Sequence, residues 1–551
     1  MTHGANCAVV DRAAGEAEVS GPVKGLAAPL WRHVALLTCL LVGLAIYARP
    51  GGLFSVDEGI AALQARALAA GDGWTFAYPL AEIDPDAAWF PLRAAERAED
   101  GFVGYPKHAA YPVILAGGHA VAGTAGMVAV SIAGTVAAAA FAALLARRLG
   151  PALDVPVLYV TGLLSPLAFD STLLIAHTVA AAAVGGAALA TVRHIEGGRT
   201  WSPWLVGAAA GTALAVLVRT EATLLAGASI LVLGAAALRA RRPSMITSTA
   251  VLAATAGAAF LFDRWCHSAL VGDAVPLTAP AATSGSVLDD RLAGFATTTL
   301  QTTYDTPDTP HALLYAALAS LVVLVALLRR SRPAAAVVAV AAAALVLVFA
   351  LTAPLSPIPG LLVAFPLLWV GLAVGGWTDA AVARAFAVVA GLFAAALAAT
   401  QYRQGGGAEW GARYTALALP LVTPLAVLGL RRSLAQLAGD RRRVVALGLA
   451  VVSLTLVAFG MTVQRRVTEV SRHLMAEVAA LDAPSSLGAD DRSREPVVVS
   501  NEFFAPQGLW PIYEGRRWLR LRNDEPIHTD GVHPAIQRLV GAGVDRFLYI
   551  T

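Results

Sequence analysis

Residues 109–126 read Ala-Ala-Tyr-Pro-Val-Ile-Leu-Ala-Gly-Gly-His-Ala-Val-Ala-Gly-Thr-Ala-Gly, and the topology turns on whether they cross a membrane. Around them lies a 551-residue chain with 57% hydrophobic and 14% charged residues and a mean hydropathy of +0.66. A soluble globular protein carries about 25% charged residues, so this chain cannot clothe itself against water. Disorder, a coiled coil and an ordinary cytosolic multidomain enzyme are excluded. The chain reads as an all-α polytopic membrane protein. Apolar runs suited to a hydrocarbon core of about 30 Å fall at 31–48, 125–146, 154–169, 172–192, 203–218, 221–238, 246–266, 312–328, 334–352, 358–376, 381–400, 413–430 and 443–461. That makes thirteen spans without 109–123 and fourteen with it.

The basic residues decide between these counts, because short loops rich in Arg mark the cytoplasmic side. The clusters are Arg147-Arg148, Arg193 with Arg199, Arg239-Ala-Arg241-Arg242, Arg329-Arg330 with Arg332, and Arg431-Arg432 with Arg441-Arg442-Arg443. Thirteen spans and a cytoplasmic N-terminus put all five in the cytoplasm; fourteen would throw all five outside. Residues 109–123 are therefore read as a helix lying in, or re-entering, the outer face, which suits their glycine content. The expected layout is a cytoplasmic tail at 1–30, a membrane domain at 31–461 with an external loop at 49–124, and a small extracytoplasmic module at 462–551. No cleavable signal is read at the N-terminus, since about thirty mixed residues precede the first apolar run and no small-x-small site follows it. The tail reads as α/β, with strands at 496–500, 517–521 and 546–550 and a helix at 533–540.

Other classes are excluded quickly. A net charge of +3 from 40 basic and 37 acidic residues, with no basic, aromatic-interleaved stripe, gives no nucleic-acid footprint. Cys7, Cys39 and Cys266 are too few and too scattered for a disulfide framework or a metal cluster. High Ala and Arg with few Lys is the composition of a GC-rich bacterial genome.

Under this topology the polar residues gather on one side. Asp57-Glu58 follows the first span at the start of a helical pattern through Ile60, Leu63, Ala67 and Leu68. Carboxylates cap helix N-termini, but one at a membrane boundary also serves as a base or a cation ligand. Lys107 sits in Gly104-Tyr-Pro-Lys-His-Ala-Ala-Tyr-Pro112 at headgroup level, where a compact ammonium holds a phosphate or merely anchors the interface. Asp170 lies at the hinge between the third and fourth spans. Arg219-Thr-Glu221 forms the next outer turn, and Tyr402-Arg403 with Glu409-Trp-Gly-Ala-Arg-Tyr414 leads into the twelfth span. Charges at membrane depth are functional candidates, and structural pairs alone would have no reason to choose one face.

This pattern resembles the GT-C superfamily of membrane glycosyltransferases, which includes the protein O-mannosyltransferases and the lipid A aminoarabinose transferases. The matching features are Asp57-Glu58 after the first span, Tyr105-Pro-Lys-His-Ala-Ala-Tyr-Pro112 before the outer-face helix, Ala-Arg-Arg-Leu-Gly at 146–150, Asp170 at the outer hinge and Trp410-Gly-Ala-Arg-Tyr414. The resemblance covers about residues 31–461 and departs from the pattern at His108-Ala109-Ala110 and at Ala412, where prolines are common. It implies an outward-facing cavity, Asp57 as catalytic base or metal ligand with Glu58 beside it, and Lys107 holding the phosphate of a polyprenyl-phosphate sugar near His108 or Tyr111. Asp170 would be a second acid in the cavity. Arg219, Arg403 and Arg413, with Glu221 and Glu409 beside them, are added as phosphate or sugar contacts on topology alone. No cofactor motif is read, and a divalent metal on Asp57 and Asp170 is left open.

The expected function is transfer of a sugar to a lipid, glycan or protein acceptor of the cell envelope, in a protein surrounded by the lipids of the plasma membrane. A transporter or lipid flippase is the competing class. Transporters usually show internal repeats and midplane polar groups; no repeat is visible, and the polar groups gather at one face. A non-catalytic scaffold presenting the C-terminal module is the third.

Overall fold

The computed structural model describes residues 27–51, 54–92, 95–272, 287–299, 311–328, 340, 343–344, 359–375, 380–400, 410–411, 413–481, 497–501, 505–521, 533–544 and 547–550. Eight helices among the described residues are long and apolar enough to cross a membrane, and two shorter apolar helices accompany them. The protein is a multi-pass membrane protein.

Helix α1 (Ala27–Ala48) leads into an elaborated loop. There α2 (Val56–Ala70) precedes a small antiparallel sheet of β1 (Thr75–Phe76), β3 (Gly101–Val103) and β2 (Glu96–Ala98), in that spatial order. The decisive stretch follows as α3 (Ala110–Ala146), which is two arms rather than one rod. Ala122 (φ −148°, ψ 28°) and Gly123 (φ 58°, ψ −141°) leave the helical region, and Gly123 takes a conformation that a side chain would resist. The arms fold back on each other: a Cβ on Gly126 would collide with the carbonyl oxygen of Gly118, whereas a straight helix would hold those residues about 12 Å apart. The first arm, 110–121, is about 18 Å long, too short to cross a bilayer.

The next elements are α4 (Asp154–Gly162), α5 (Pro166–Asp170), α6 (His177–Glu196), α7 (Pro203–Val218), α8 (Glu221–Ala240) and α9 (Pro243–Val271). Helix α6 packs on α3 and α7, α7 on α9, and α8 on α9. Close approaches at small residues, Gly134 to Thr178 and Gly211 to Ala183, let these backbones touch. Then come α10 (Val287–Thr299), α11 (His311–Leu328), α12 (Leu361–Ala364), α13 (Pro366–Val374), α14 (Ala381–Thr400), a 3-10 turn (Arg413–Ala418), α15 (Leu419–Ala435) and α16 (Gly439–Leu481).

Several expected boundaries are corrected. The run 154–169 is not one span: Ser165 starts a new helix by accepting from Leu167 N–H, with Pro166 at its first position. The run 358–376 breaks at Phe365, which Pro366 pushes out of the helical region (φ −133°, ψ 65°). The span drawn at 172–192 is helical only from His177. The domain boundary at 461/462 falls inside α16, a continuous 43-residue helix. The span at 334–352 lies almost wholly outside the described residues.

After α16, β4 (Val497–Ser500), β5 (Arg517–Arg520) and β6 (Phe547–Ile550) form a parallel sheet in the order β5-β4-β6. Short α17 (Ala505–Gly508) follows β4, and α18 (Pro534–Gly541) precedes β6. This segment docks on the first loop through Arg66–Glu514 at 2.6 Å and Arg520 N–H donating to Trp89 O at 2.9 Å.

The bundle has two chemically distinct ends. Arg147 pairs with Asp154 at 2.9 Å and Arg148 with Glu196 at 3.0 Å. Arg431 donates to Pro151 O and Arg441 to Leu327 O, which ties the basic loops together. The Arg219–Glu221 turn is separated from Arg239 and Arg241 by the length of α8, about 30 Å.

Candidate active site

Ser55 caps α2 by accepting from Glu58 N–H at 3.4 Å, which sets Asp57 in the first turn. Its two carboxylate oxygens meet different cations: Oδ1 is 2.9 Å from Lys107 Nζ and Oδ2 is 3.0 Å from Arg413 Nη1. Burial alone would raise the Asp57 carboxyl. Lys107 and Arg413, with Arg219 further off, overcome it and hold the group well below the usual carboxylate range. Lys107 keeps about a third of its side chain exposed (33%) against 13–14% for its partners, so the ammonium is the reachable member.

The Trp-Gly-Ala-Arg-Tyr run delivers Arg413. Trp410 is buried between Phe169 (5.7 Å) and Phe459 (5.6 Å). Gly411, at φ 74°, sits against Pro166 where a Cβ would clash, and donates to Pro359 O. The 3-10 turn then aims Arg413 at Asp57, with its guanidinium 4.9 Å from the Tyr414 ring centre. Arg219 approaches the same ring at 5.9 Å and makes a two-pronged pair with Glu221 at 2.9 and 2.7 Å.

The residues named from the sequence therefore separate. Asp57, Lys107 and Arg413 converge, and the Arg219–Glu221 pair adjoins them through Tyr414. Glu58 is a brace: it accepts from Phe54 N–H at 3.2 Å and Leu174 N–H at 3.1 Å, joining α2 to the 171–176 segment. His108 bridges Asp263 (3.1 Å) and Thr220 (2.9 Å). Tyr111 and Asp170 are fully buried, on the first arm of α3 and at the end of α5. Arg403 and Glu409 lie outside the described residues.

Three features escaped the sequence reading. His177, buried at the start of α6, lies within the field of Arg219, Arg413 and Asp57. Asp263 and His267, inside or at the edge of a run read as uniformly apolar, are buried against the Lys107 segment; a charge in such a run was the available signal. Lys107 is also one of only two lysines in the chain, the other being Lys24.

Both Asp57 oxygens face cations, and among the described residues no three His, Cys, Asp or Glu side chains gather as a metal site. One residue past Glu221 begins an apolar cavity of about 290 Å³, lined along α6, α7, α8 and α14 by residues such as Ala222, Leu225, Val232, Val184, Ala215 and Phe386. It follows α8 from Ala222 to Ala236, about 21 Å.

No family model matches the chain, and no curated protein does. Among solved structures, ArnT from Cupriavidus metallidurans in the apo state is similar with a TM-score of 0.50 at 14% identity, covering 88% of this chain and 85% of that one. The same protein bound to undecaprenyl phosphate gives a TM-score of 0.47 at 12% identity, over 95% and 90% of the two chains. The likeness to the apo structure is one of fold: the chain shares the helical architecture of that protein.

Proposed function

We propose that the protein transfers a sugar from a polyprenyl-phosphate donor to a hydroxyl of a cell-envelope acceptor, at the extracytoplasmic face of the plasma membrane. The reading rests on one observation: an ionised carboxylate clamped between a lysine and an arginine, next to the head of an apolar cavity that runs along the bundle. A lipid-linked donor has the matching parts, an isoprenoid chain for the cavity and a phosphate for the cations. The Arg-rich loops at the opposite end support an outward-facing site.

In this reading the donor phosphate takes over Lys107 and Arg413, and Arg219 adds to the field. Asp57 loses its two counter-ions as the phosphate gains them, so its basicity rises when the donor is in place. The acceptor hydroxyl attacks the anomeric carbon, its proton passes to Asp57, and the bond from that carbon to the phosphate oxygen breaks. The leaving polyprenyl phosphate gains a negative charge, which the preorganised cations stabilise. No acid is needed to protonate it.

The test is transfer from a labelled polyprenyl-phosphate sugar to membrane acceptors by wild type, Asp57→Asn and Lys107→Ala. The reading expects loss in both variants. Full transfer by both would remove the site assignment, and substrate flux without transfer would favour the transporter class.

A further inference from the structure

One face of α9 grips the Lys107 segment on both sides of the lysine. His267 Nδ1 lies 3.0 Å from the carbonyl oxygen of Pro106, one residue before it. Asp263 Oδ2 lies 3.1 Å from His108 Nδ1, one residue after it. Asp263 and His267 are four residues apart, hence neighbours on the helix surface, and both are buried. The far nitrogens are placed too: His108 Nε2 is 2.9 Å from Thr220 Oγ1, and His267 Nε2 is 3.4 Å from Glu96 Oε2.

The proton count differs between the two rings. A neutral His108 satisfies both contacts, donating from Nδ1 to Asp263 and accepting the Thr220 hydroxyl at Nε2. His267 cannot do the same. A carbonyl oxygen only accepts, so its Nδ1 carries the hydrogen, and a neutral ring turns the Nε2 lone pair on the Glu96 carboxylate. Among the described residues, neither Glu96 Oε2 nor His267 Nε2 has a hydrogen-bond partner. One further proton, on the ring or on the carboxyl, turns that repulsion into an attraction at 3.4 Å. Burial raises the Glu96 carboxyl, opposed by His267, Lys107 and Arg264, which favours retention of such a proton. Among the described residues, Lys107 and Arg264 act on the Glu96 carboxyl beside His267, and Asp263 is committed to His108.

We propose that Asp263 and His267 are positioning residues for Lys107, and that a proton shared between His267 and Glu96 locks the 105–108 segment in the geometry that receives the donor phosphate. The consequence for catalysis rests on the transferase reading; the clamp itself does not. As pH rises past the loss of the shared proton, the segment loosens and KM for the donor climbs while kcat moves less.

The scarcity of lysine supplies a readout free of any donor. The full-length protein in nanodiscs is acetylated competitively, and the Lys107 to Lys24 labelling ratio is read by mass spectrometry across pH. His267→Ala is expected to raise the ratio about fivefold, in line with loss of one hydrogen bond. His267→Asn keeps a donor toward Pro106 but cannot share a second proton, so its ratio lies between wild type and His267→Ala at neutral pH and shows no further rise at high pH. Asp263→Asn raises the ratio less than His267→Ala, and in the transfer assay His267→Ala raises donor KM by a similar factor. An unchanged ratio in His267→Ala, or a pH step that survives in His267→Asn, overturns the proposal. Altered ratios in a protein that transfers no sugar would support the clamp and count against the transferase reading.

Discussion

Lys107 Nζ and Asp57 Oδ1 stand 2.9 Å apart although fifty residues separate them in the chain. The pair joins the first turn of α2 to the segment that enters the first arm of α3. A carboxylate held this firmly ionised is a poor base until something takes its cations away, and an incoming phosphate is suited to do so.

Replacing Asp57 by Asn removes the proposed base but leaves both cations in place. Transfer should fall by about 10²–10⁴-fold in kcat, the usual worth of a positioned general base, with donor KM unchanged or lower. Steady-state kinetics with donor varied would show this; a rise in KM at constant kcat would assign Asp57 to binding instead.

Lys107→Arg should restore little of what Lys107→Ala loses. A guanidinium is a planar fork, whereas this site holds a compact point charge beside an arginine already in place. Donor KM measured for both variants tests the point, and a fully active Lys107→Arg would contradict it.

The Asp57 carboxyl is held low in the fold, against about 3.9 when unfolded. Its contribution to stability is therefore complete above the unfolded value and is lost progressively as pH falls below about 4. Asp57→Asn should lower Tm at pH 7, and the gap from wild type should narrow below pH 4. Thermal melts of detergent-purified protein at both pH values measure the gap; a constant gap would mean that the charge contributes nothing.

Gly126→Leu should destabilise the bundle by about 1–3 kcal/mol, the range for overpacking a tight contact, because it forces the two arms of α3 apart at Gly118. A Gly117→Leu control has open space around its Cβ and should leave Tm near wild type.

How much was legible follows from which physics was local. Parity and Arg position set 109–123 apart from the spans as a short outer-face helix, and its glycines suited an interrupted segment; the fold-back itself, at Ala122 and Gly123, came only with the backbone. The breaks at Ser165-Pro166 and Phe365-Pro366 were written in the sequence as X-Pro steps, but hydropathy summed over a window hid them. Glu58 seemed a partner for Asp57 by adjacency. Successive helical side chains diverge by about 100°, and Glu58 instead accepts backbone N–H groups from two other segments. The convergence of Arg413 on Asp57 spans 356 residues, and only the packing of Trp410 and Gly411 reveals it. His177 carried no local mark at all.

The central claim is that Asp57 and the donor phosphate compete for Lys107. Equilibrium binding of polyprenyl phosphate to wild type, Lys107→Ala and Asp57→Asn in nanodiscs tests it most directly. The account predicts binding weakened at least about tenfold by Lys107→Ala, or 1.4 kcal/mol, and binding as tight or tighter in Asp57→Asn, where the internal competitor is gone. Wild-type affinity in Lys107→Ala, or loss of affinity in Asp57→Asn alone, would contradict it.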